Sequence, residues 1–379
     1  MPRLVRHMVR GGHSSITGCE SGAGGCATHH NMPDIANICI ADGLCGVQSV
    51  IMRESADEGA YEGDLPELNH PWLVAVWPGM GNVAVSAGYY LMAKLGMHQL
   101  AEFFTRELFD LDHIEVKDGL IKPARQPRSR FYVWKDPQNN HDIVVFIGEA
   151  QPPTGKYLFC LKLIDFAKQL GVERVLTFAA MATEMHPESD ARVFGVATDQ
   201  DGLDDLQRLE LVPLEDGRIS GLNGLLLGLA AEHHLPGACL LGEMPHIFSQ
   251  LPFPKASLAV LEAFTAMARI ELDVTELAKQ AKEMEQQLGS VLAQIEKAIV
   301  QRRAEQGKAP EEWAVASAED KESEAPSGPT PEDRQRIEAL FEQAKKDRSK
   351  AYKLKADLDR LNVFEEFEDR FLDLFQDPD

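Results

Sequence analysis

From Pro71 onward, short apolar runs alternate with longer amphipathic stretches, the pattern of strands alternating with helices around one sheet. The runs Leu73 to Trp77, Phe131 to Trp134, Asp142 to Ile147, Arg174 to Ala180, Arg192 to Ala197 and Ala238 to Leu241 predict strands. Between them, helices are predicted over Asn82 to Leu95, Lys156 to Leu170 and Ser220 to His233. Gly96 and Gly171 stand where the first two would stop, and Ser220 stands where the third would be capped. The alternation of apolar and charged residues over Glu107 to Gly119 fits an edge strand or a hairpin arm.

After Pro252 the strand pattern ceases. Val274, Leu277, Ala281, Met284, Leu288, Val291, Ile295 and Ala298 recur at steps of three and four, one narrow apolar seam of the coiled-coil kind. A second seam runs through Ile337, Leu340, Ala344, Ala351, Leu354, Leu358 and Leu361, broken where Asp347 falls on an apolar position. Helices carrying such seams cannot stand alone in water, so the pair is expected to form a hairpin within the chain or to pair between subunits. Phe364, Phe367, Phe371, Leu374 and Phe375 also recur at helical spacing and need a covering surface. The expected organisation is a weakly structured or disordered segment 1–70, an α/β domain 71–252, a helical extension 253–306, a flexible linker 307–331 and an acidic helical tail 332–379. Met8, Met32 and Met52 offer alternative starts for a shorter product.

Composition narrows the partners. With 60 acidic against 38 basic residues and a formal charge of −22, phosphate backbones and anionic membranes would be repelled. No stretch of 18 apolar residues occurs and the amino terminus lacks a secretory apolar core, so the expected compartment is the cytoplasm. Six cysteines are too few for a disulfide scaffold in a chain of 379 residues. Cys19, Cys26, His29, His30, Cys39 and Cys45 are metal-ligand types, but no C-x-x-C pair closes a zinc site, so no metal and no cofactor is expected.

The sharpest local motif is Gly79-Met80-Gly81-Asn82-Val83-Ala84, between a strand and a helix. This G-x-G-x-x-A spacing lets a backbone approach a pyrophosphate at a helix start. A tight turn needing glycine for steric reasons is the plainer reading of the same residues. Gly148-Glu149-Ala150-Gln151-Pro152-Pro153-Thr154-Gly155-Lys156 ends another strand, and its glycine spacing is wrong for a phosphate loop. Glu149 nevertheless occupies the usual ligand position of an open sheet. The candidate ligand residues are therefore Gly79, Met80, Gly81, Asn82 and Glu149. Glu184, His186, Glu188 and Asp190 form a polar loop, and His233 and His234 close a helix where imidazolium favours the dipole. No nucleophile elbow and no H-E-x-x-H occurs, and no catalytic residue is assigned.

Taken together, the run Pro71 to Ala84, the segment Ile147 to Pro152, the strand Arg174 to Ala180, the segment Arg192 to Thr198 and the run Gly217 to Leu226 resemble the proteasome assembly chaperone family, of the second chaperone's type, over roughly half of the chain. The resemblance implies one α/β domain, related in fold to nucleoside phosphorylases and peptidyl hydrolases and lacking a known catalytic site. The helical C-terminal extension of this chain fits the prokaryotic members; eukaryotic and archaeal members bind proteasome α subunits, so the resemblance implies a proteasome-related protein client. Several members dock through a C-terminal hydrophobic-Tyr-any tail, whereas this chain ends Leu374-Phe375-Gln376-Asp377-Pro378-Asp379, with Pro378 in the tyrosine's place. The expected fold is thus α/β, a single mainly parallel or mixed sheet flanked by helices, with a coiled-coil-like α-helical extension. The expected function is a non-enzymatic protein-binding module that forms a homo-oligomer, a trimer being one form. The alternative is a nucleotide or nucleoside site at the Gly79 to Ala84 turn and the Glu149 loop.

Overall fold

The apolar run Trp72–Val76 is buried at every position, as a strand covered on both faces must be. The computed structural model describes residues 65–306 and 330–376, apart from short breaks at 104, 110–113, 115, 118, 122–124 and 362. The cysteine and histidine cluster weighed for zinc, the alternative starts and the linker fall outside the described residues, save for Thr330 and Pro331 at the linker's end.

In chain order, β1 (Trp72–Val76) leads to α1 (Val83–Lys94), β2 (His98–Glu102), a small hairpin of β3 (Val116–Lys117) and β4 (Leu120–Ile121), β5 (Ser129–Trp134), β6 (Ile143–Gly148), α2 (Lys156–Gln169) and β7 (Arg174–Thr183). Then come β8 (Val193–Ala197), α3 (Gln200–Arg208), β9 (Val212–Pro213), α4 (Gly221–Glu232) and β10 (Gly237–Pro245). The helices α5 (Pro254–Ala268), α6 (Thr275–Gln306), α7 (Pro331–Lys346), α8 (Ala351–Arg360) and α9 (Phe364–Leu372) complete the chain.

Eight strands form one mixed sheet in the order β2-β5-β6-β1-β7-β10-β8-β9. Its centre, β6-β1-β7-β10, is parallel, and Val74 sits between Val145 and Leu176 in register. β5 and β8 run antiparallel to the centre, and β2 pairs antiparallel with β5 as one edge. The stretch Glu107 to Gly119 supplies not the sheet edge but one arm of the separate hairpin, at Val116–Lys117. The edge is the polar strand β2, which has no apolar run to announce it.

Alternate residues of each central strand serve two cores. Leu73 and Ala75 face Phe146, Phe159, Leu163 and Leu226, the side of α2 and α4. Val74 and Val76 face Tyr90, Phe178, Val260 and Phe264, the side of α1 and α5. α5 packs on β10 and α1, so this second layer continues beyond Pro252. At the other end, Asn69 donates its amide to Asp142 Oδ2 at 2.8 Å, and Leu65 and Leu68 lie against the α2 core, so order reaches back before Pro71.

Ten of the twelve residues of α1 are buried, including both its tyrosines. A helix apolar on all sides needs a further layer outside it, and the second seam supplies that layer. Ile337, Leu340, Ala344, Ala351, Leu354 and Leu358 are buried in the same core as Tyr89 and Tyr90. Tyr352 packs edge-on against Tyr90 with ring centroids 4.3 Å apart, and its hydroxyl donates to Gln280 Oε1 at 2.5 Å. The break in register at Asp347 is a break in the helix. α7 stops at Lys346, and the Asp347 carboxylate accepts from the Ser349 amide and hydroxyl to start the next turn.

The two seams therefore do not zip together along their length. The first is buried at Leu277, Ala281 and Leu288, with α6 packed on α5, and emerges into solvent at Val291 and Ile295. The second lies on α1, because the large apolar demand there outweighs what a narrow heptad seam would gain by pairing.

Candidate functional site

The parallel strands all end at one edge of the sheet, and ligands of open sheets bind beyond such ends. β2 ends and β5 begins at this edge, since Glu102 of β2 pairs with Arg130 of β5, and Ser129 pairs with Gly148. The Gly79 turn, the Glu149 loop and the segment after β10 thus share it.

After β1, Trp77 is buried and the chain turns through Met80–Asn82 into α1. Gly81 has φ +60°, the left-handed region that favours glycine, and a Cβ there would lie 2.8 Å from the flexible end of the Met244 side chain. The Gly81 amide donates to Ser249 O at 2.9 Å, the Asn82 amide donates to Gly79 O at 3.0 Å, and Gly81 O accepts from the Phe253 amide at 2.9 Å. The backbone donors a pyrophosphate would need are thus already engaged within the protein, and the turn serves to lock α1 to the segment after β10. Met80 is 45% exposed at its tip.

Glu149 takes a different direction. Its carboxylate accepts from the Arg128 amide at 2.8 Å, from Arg125 at 3.0 Å and from Arg130 at 3.4 Å. Asp369 of α9 meets the same arginines, at 2.8 Å from Arg125, 3.3 Å from Arg128 and 3.6 Å from Arg130. Next to it, Glu368 accepts from the Tyr89 hydroxyl at 3.0 Å. Burial, with the Glu149 charge as a second cause, pushes the Glu368 carboxyl up to about 7, and burial likewise raises Glu149. The structure therefore sets Glu149 in a latch that holds the C-terminal helices, on adjacent strand ends to the Gly79 turn but not in contact with it.

The residue that joins the two loops is Gln151. Its Nε2 donates to Pro78 O at 3.4 Å, and its Oε1 accepts from the Leu222 amide at 3.3 Å at the start of α4. Gly221 has φ +75°, a left-handed conformation that favours glycine, and a Cβ there would lie 2.9 Å from the mobile end of Gln151, Oε1. Between these walls lies a crevice of about 490 Å³. It is lined by Gly79 and Met80, by Ala179–Ala182 of β7, and by Arg218, Ser220 and Asn223. The strand-end rule singles out Glu149 and passes over Gln151, two residues on. It also left Arg218 and Ser220 out of the site, although the run Gly217 to Leu226 was among those that carried the resemblance.

The remaining polar candidates serve the structure. Glu243, buried on β10, receives two bonds from the Arg192 guanidinium at 2.6 and 2.8 Å and one from Thr183 at 2.8 Å; the Arg192 hydrogen bonds hold its carboxyl below the usual range. The loop holding Glu184, His186, Glu188 and Asp190 is tied down where Lys255 donates to Pro187 O and Ser189 O, and His246 lies 3.5 Å from Glu184. His233 ends α4 beside Lys168 Nζ at 2.8 Å, and His234 adopts a left-handed conformation just beyond. Burial pushes the Cys160 and Cys239 thiols up to about 12, the wrong direction for nucleophiles. Among the described residues, no group of His, Cys, Asp and Glu is arranged to hold a metal, and no helix is long and apolar enough to cross a membrane.

Comparison with known proteins follows the sheet and stops short of the tail. A sequence model of the PAC2 family matches residues 73–292, more than half of the chain. An uncharacterized protein of Methanocaldococcus jannaschii is 29% identical over 226 residues, which cover 59% of this chain and 83% of that protein. Among solved structures, PbaB of Pyrococcus furiosus, described as an archaeal proteasome activator, superposes with a TM-score of 0.52 at 26% identity, over 62% of this chain and 96% of its own. A Mycobacterium tuberculosis proteasome-assembly chaperone homologue has the same fold, with a TM-score of 0.52 at 21% identity over 59% of this chain and 95% of its own.

Proposed function

The chain belongs to the PAC2 family, and from that premise we propose that it is a protein-binding module of the proteasome-assembly-chaperone kind, self-associating and without an enzymatic reaction of its own. Its client belongs among proteasome-related proteins by likeness to PbaB, a proteasome activator matched over nearly its whole length. Its place of work is the cytoplasm.

One observation carries this reading. Among the described residues, nine of the eleven large apolar side chains left exposed lie in segments that start from the carboxyl edge of the sheet, on its turns, the first turn of α2 and the hairpin between β2 and β5. They are Met80, then Ile114, Val116, Leu120 and Ile121, then Tyr157 and Leu158, and finally Ile247 and Leu251. Scattered exposed apolar residues are ordinary, whereas a concentration at one edge marks an association surface. The acidic balance of the chain favours a partner of basic or mixed charge over any polyanion.

Sedimentation velocity of the full chain at micromolar concentration tests self-association. The expected result is a discrete assembly that dissociates in the double variant Met80→Ser, Leu251→Ser, with an unchanged melting temperature. A monomer at every concentration overturns self-association, and an assembly indifferent to the double variant overturns the choice of surface.

A further inference from the structure

The two exposed large apolar side chains that lie away from the carboxyl-edge segments, Val291 and Ile295, sit on α6. This helix begins at the opposite edge of the sheet, where the Tyr90 hydroxyl donates to Asp273 O at 2.7 Å and Lys94, at the end of α1, meets Glu276 at 2.8 Å. From there it runs toward the carboxyl edge. Lys255, in the first turn of α5, reaches Glu285 at 2.6 Å, and Gly289 lies against the Glu188 side chain in the loop after β7. The helix is therefore level with the carboxyl edge near Gly289 and continues to Gln306. At about 1.5 Å per residue, the stretch from Ser290 to Gln306 projects about 25 Å farther.

The projection differs from the body of the helix in its cover, not in its pattern. Leu277, Ala281 and Leu288 are buried, whereas from Ser290 to Ala298 only Leu292 is partly buried. Yet Leu288, Val291, Ile295 and Ala298 keep the steps of three and four that run through the first half of the seam. A heptad seam is a face that packs against another helix, and a helix without tertiary packing is marginal in water. The half of the seam on the sheet domain has its cover within the chain, while Val291, Ile295 and Ala298 stand exposed.

Charge narrows what can cover them. In a chain of net charge −22, the projection carries Glu296 and Glu305 against Lys297, Arg302 and Arg303, so it is nearly neutral. Two copies of the whole chain repel each other by their charge, but two copies of this segment do not. In a closed symmetric assembly one patch meets its own copy, which suits a seam that is complementary to itself. The projection also leaves from the edge that carries Met80, Ile247 and Leu251, so one neighbour can reach both surfaces. We propose that the projecting part of α6 pairs with the same segment of a second copy, through Val291, Ile295 and Ala298. This pairing rests on the self-association read above and assigns it a helical contact in addition to the carboxyl edge.

Sedimentation velocity tests the pairing on the full-length wild type, on the seam variant Val291→Glu, Ile295→Glu and on the off-seam variant Ser290→Glu, Ala293→Glu. Both variants add the same charge at positions that are already exposed, so neither disturbs the core. The seam variant should weaken assembly at least about a hundredfold and the off-seam variant less than about threefold. Amide exchange in residues 290–306 should slow as the protein concentration rises through the assembly range. Assembly that survives in the seam variant overturns the pairing and leaves self-association through the carboxyl edge in place. Equal weakening by both variants also overturns it, as does exchange independent of concentration, the result expected if the chain's own residues 307–329 supply the cover. A wild type that is monomeric throughout overturns self-association itself, and the pairing with it.

Discussion

Two apolar surfaces of this protein have opposite fates. The outer face of α1 is covered by the chain's own α7, α8 and α9, whereas the carboxyl edge of the sheet keeps Met80, Leu251 and their neighbours in solvent. Both rest on the same sheet, yet the first carries fully buried aromatic contacts, with Tyr89 against Phe364 and Phe371 at 5.4 and 5.7 Å. The second has only exposed side chains, on turns, the small hairpin and the first turn of α2. The difference separates surface that stabilises the fold from surface left open for association. It also coincides with the limit of the family match, which ends at residue 292, before the covering helices begin.

The most severe way to break this contrast is to empty the covered side. Phe371→Ala removes a fully buried ring between Tyr89 and Phe375 and should destabilise the docked tail by about 3–5 kcal/mol. Limited proteolysis should then cut within residues 331–376, while the sheet domain resists; equal resistance of both regions would contradict the assignment.

A milder route is to titrate the latch. Glu368 meets Tyr89, Glu149, Arg125 and Arg130, with Lys355 above the Tyr89 ring. Its folded carboxyl titrates near pH 7 against an ordinary value of 4.5. A raised folded value means the stabilising, protonated form is complete below about 4.5 and is lost as pH rises through 7. Docking of α9 should weaken over that window by on the order of 2 kcal/mol, read as faster amide exchange in residues 364–372 after correction for intrinsic rates. Glu368→Gln should flatten the slope, and an identical slope in that variant would assign it elsewhere.

The smallest effect belongs to the open edge. Leu251→Ser alone should shift stability by no more than about 0.5 kcal/mol, because the side chain is already 46% exposed. Chemical denaturation checks this, and a loss of several times that size would mean Leu251 belongs to the core.

These differences also explain what was legible beforehand. β1, β6 and β7 could be read because strands buried on both faces must be continuously apolar, and the Gly79 turn because glycine and asparagine, here Gly81 and Asn82, enter the left-handed region most readily. β2 could not be read, since an edge strand such as His98–Glu102 is free to be polar. α3 was missed because Gln200–Arg208 buries only Gly202 and Leu206. The seams were visible as periodicities, but a period says that a helix face is buried and not against what; the sign that α1 needed an outer layer was its own apolar circumference. The strand-end position drew attention to Glu149, which lies outside the crevice, while the neutral Gln151 bridged its two walls through hydrogen bonds that no spacing rule announces.

The aromatic pairing of α1 with α9 makes the sheet domain depend on its cover. A chain stopped before α7 would leave the outer face of α1, with Tyr89 and Tyr90, open to water, and such a product is expected to aggregate unless polar residues replace apolar ones on that face.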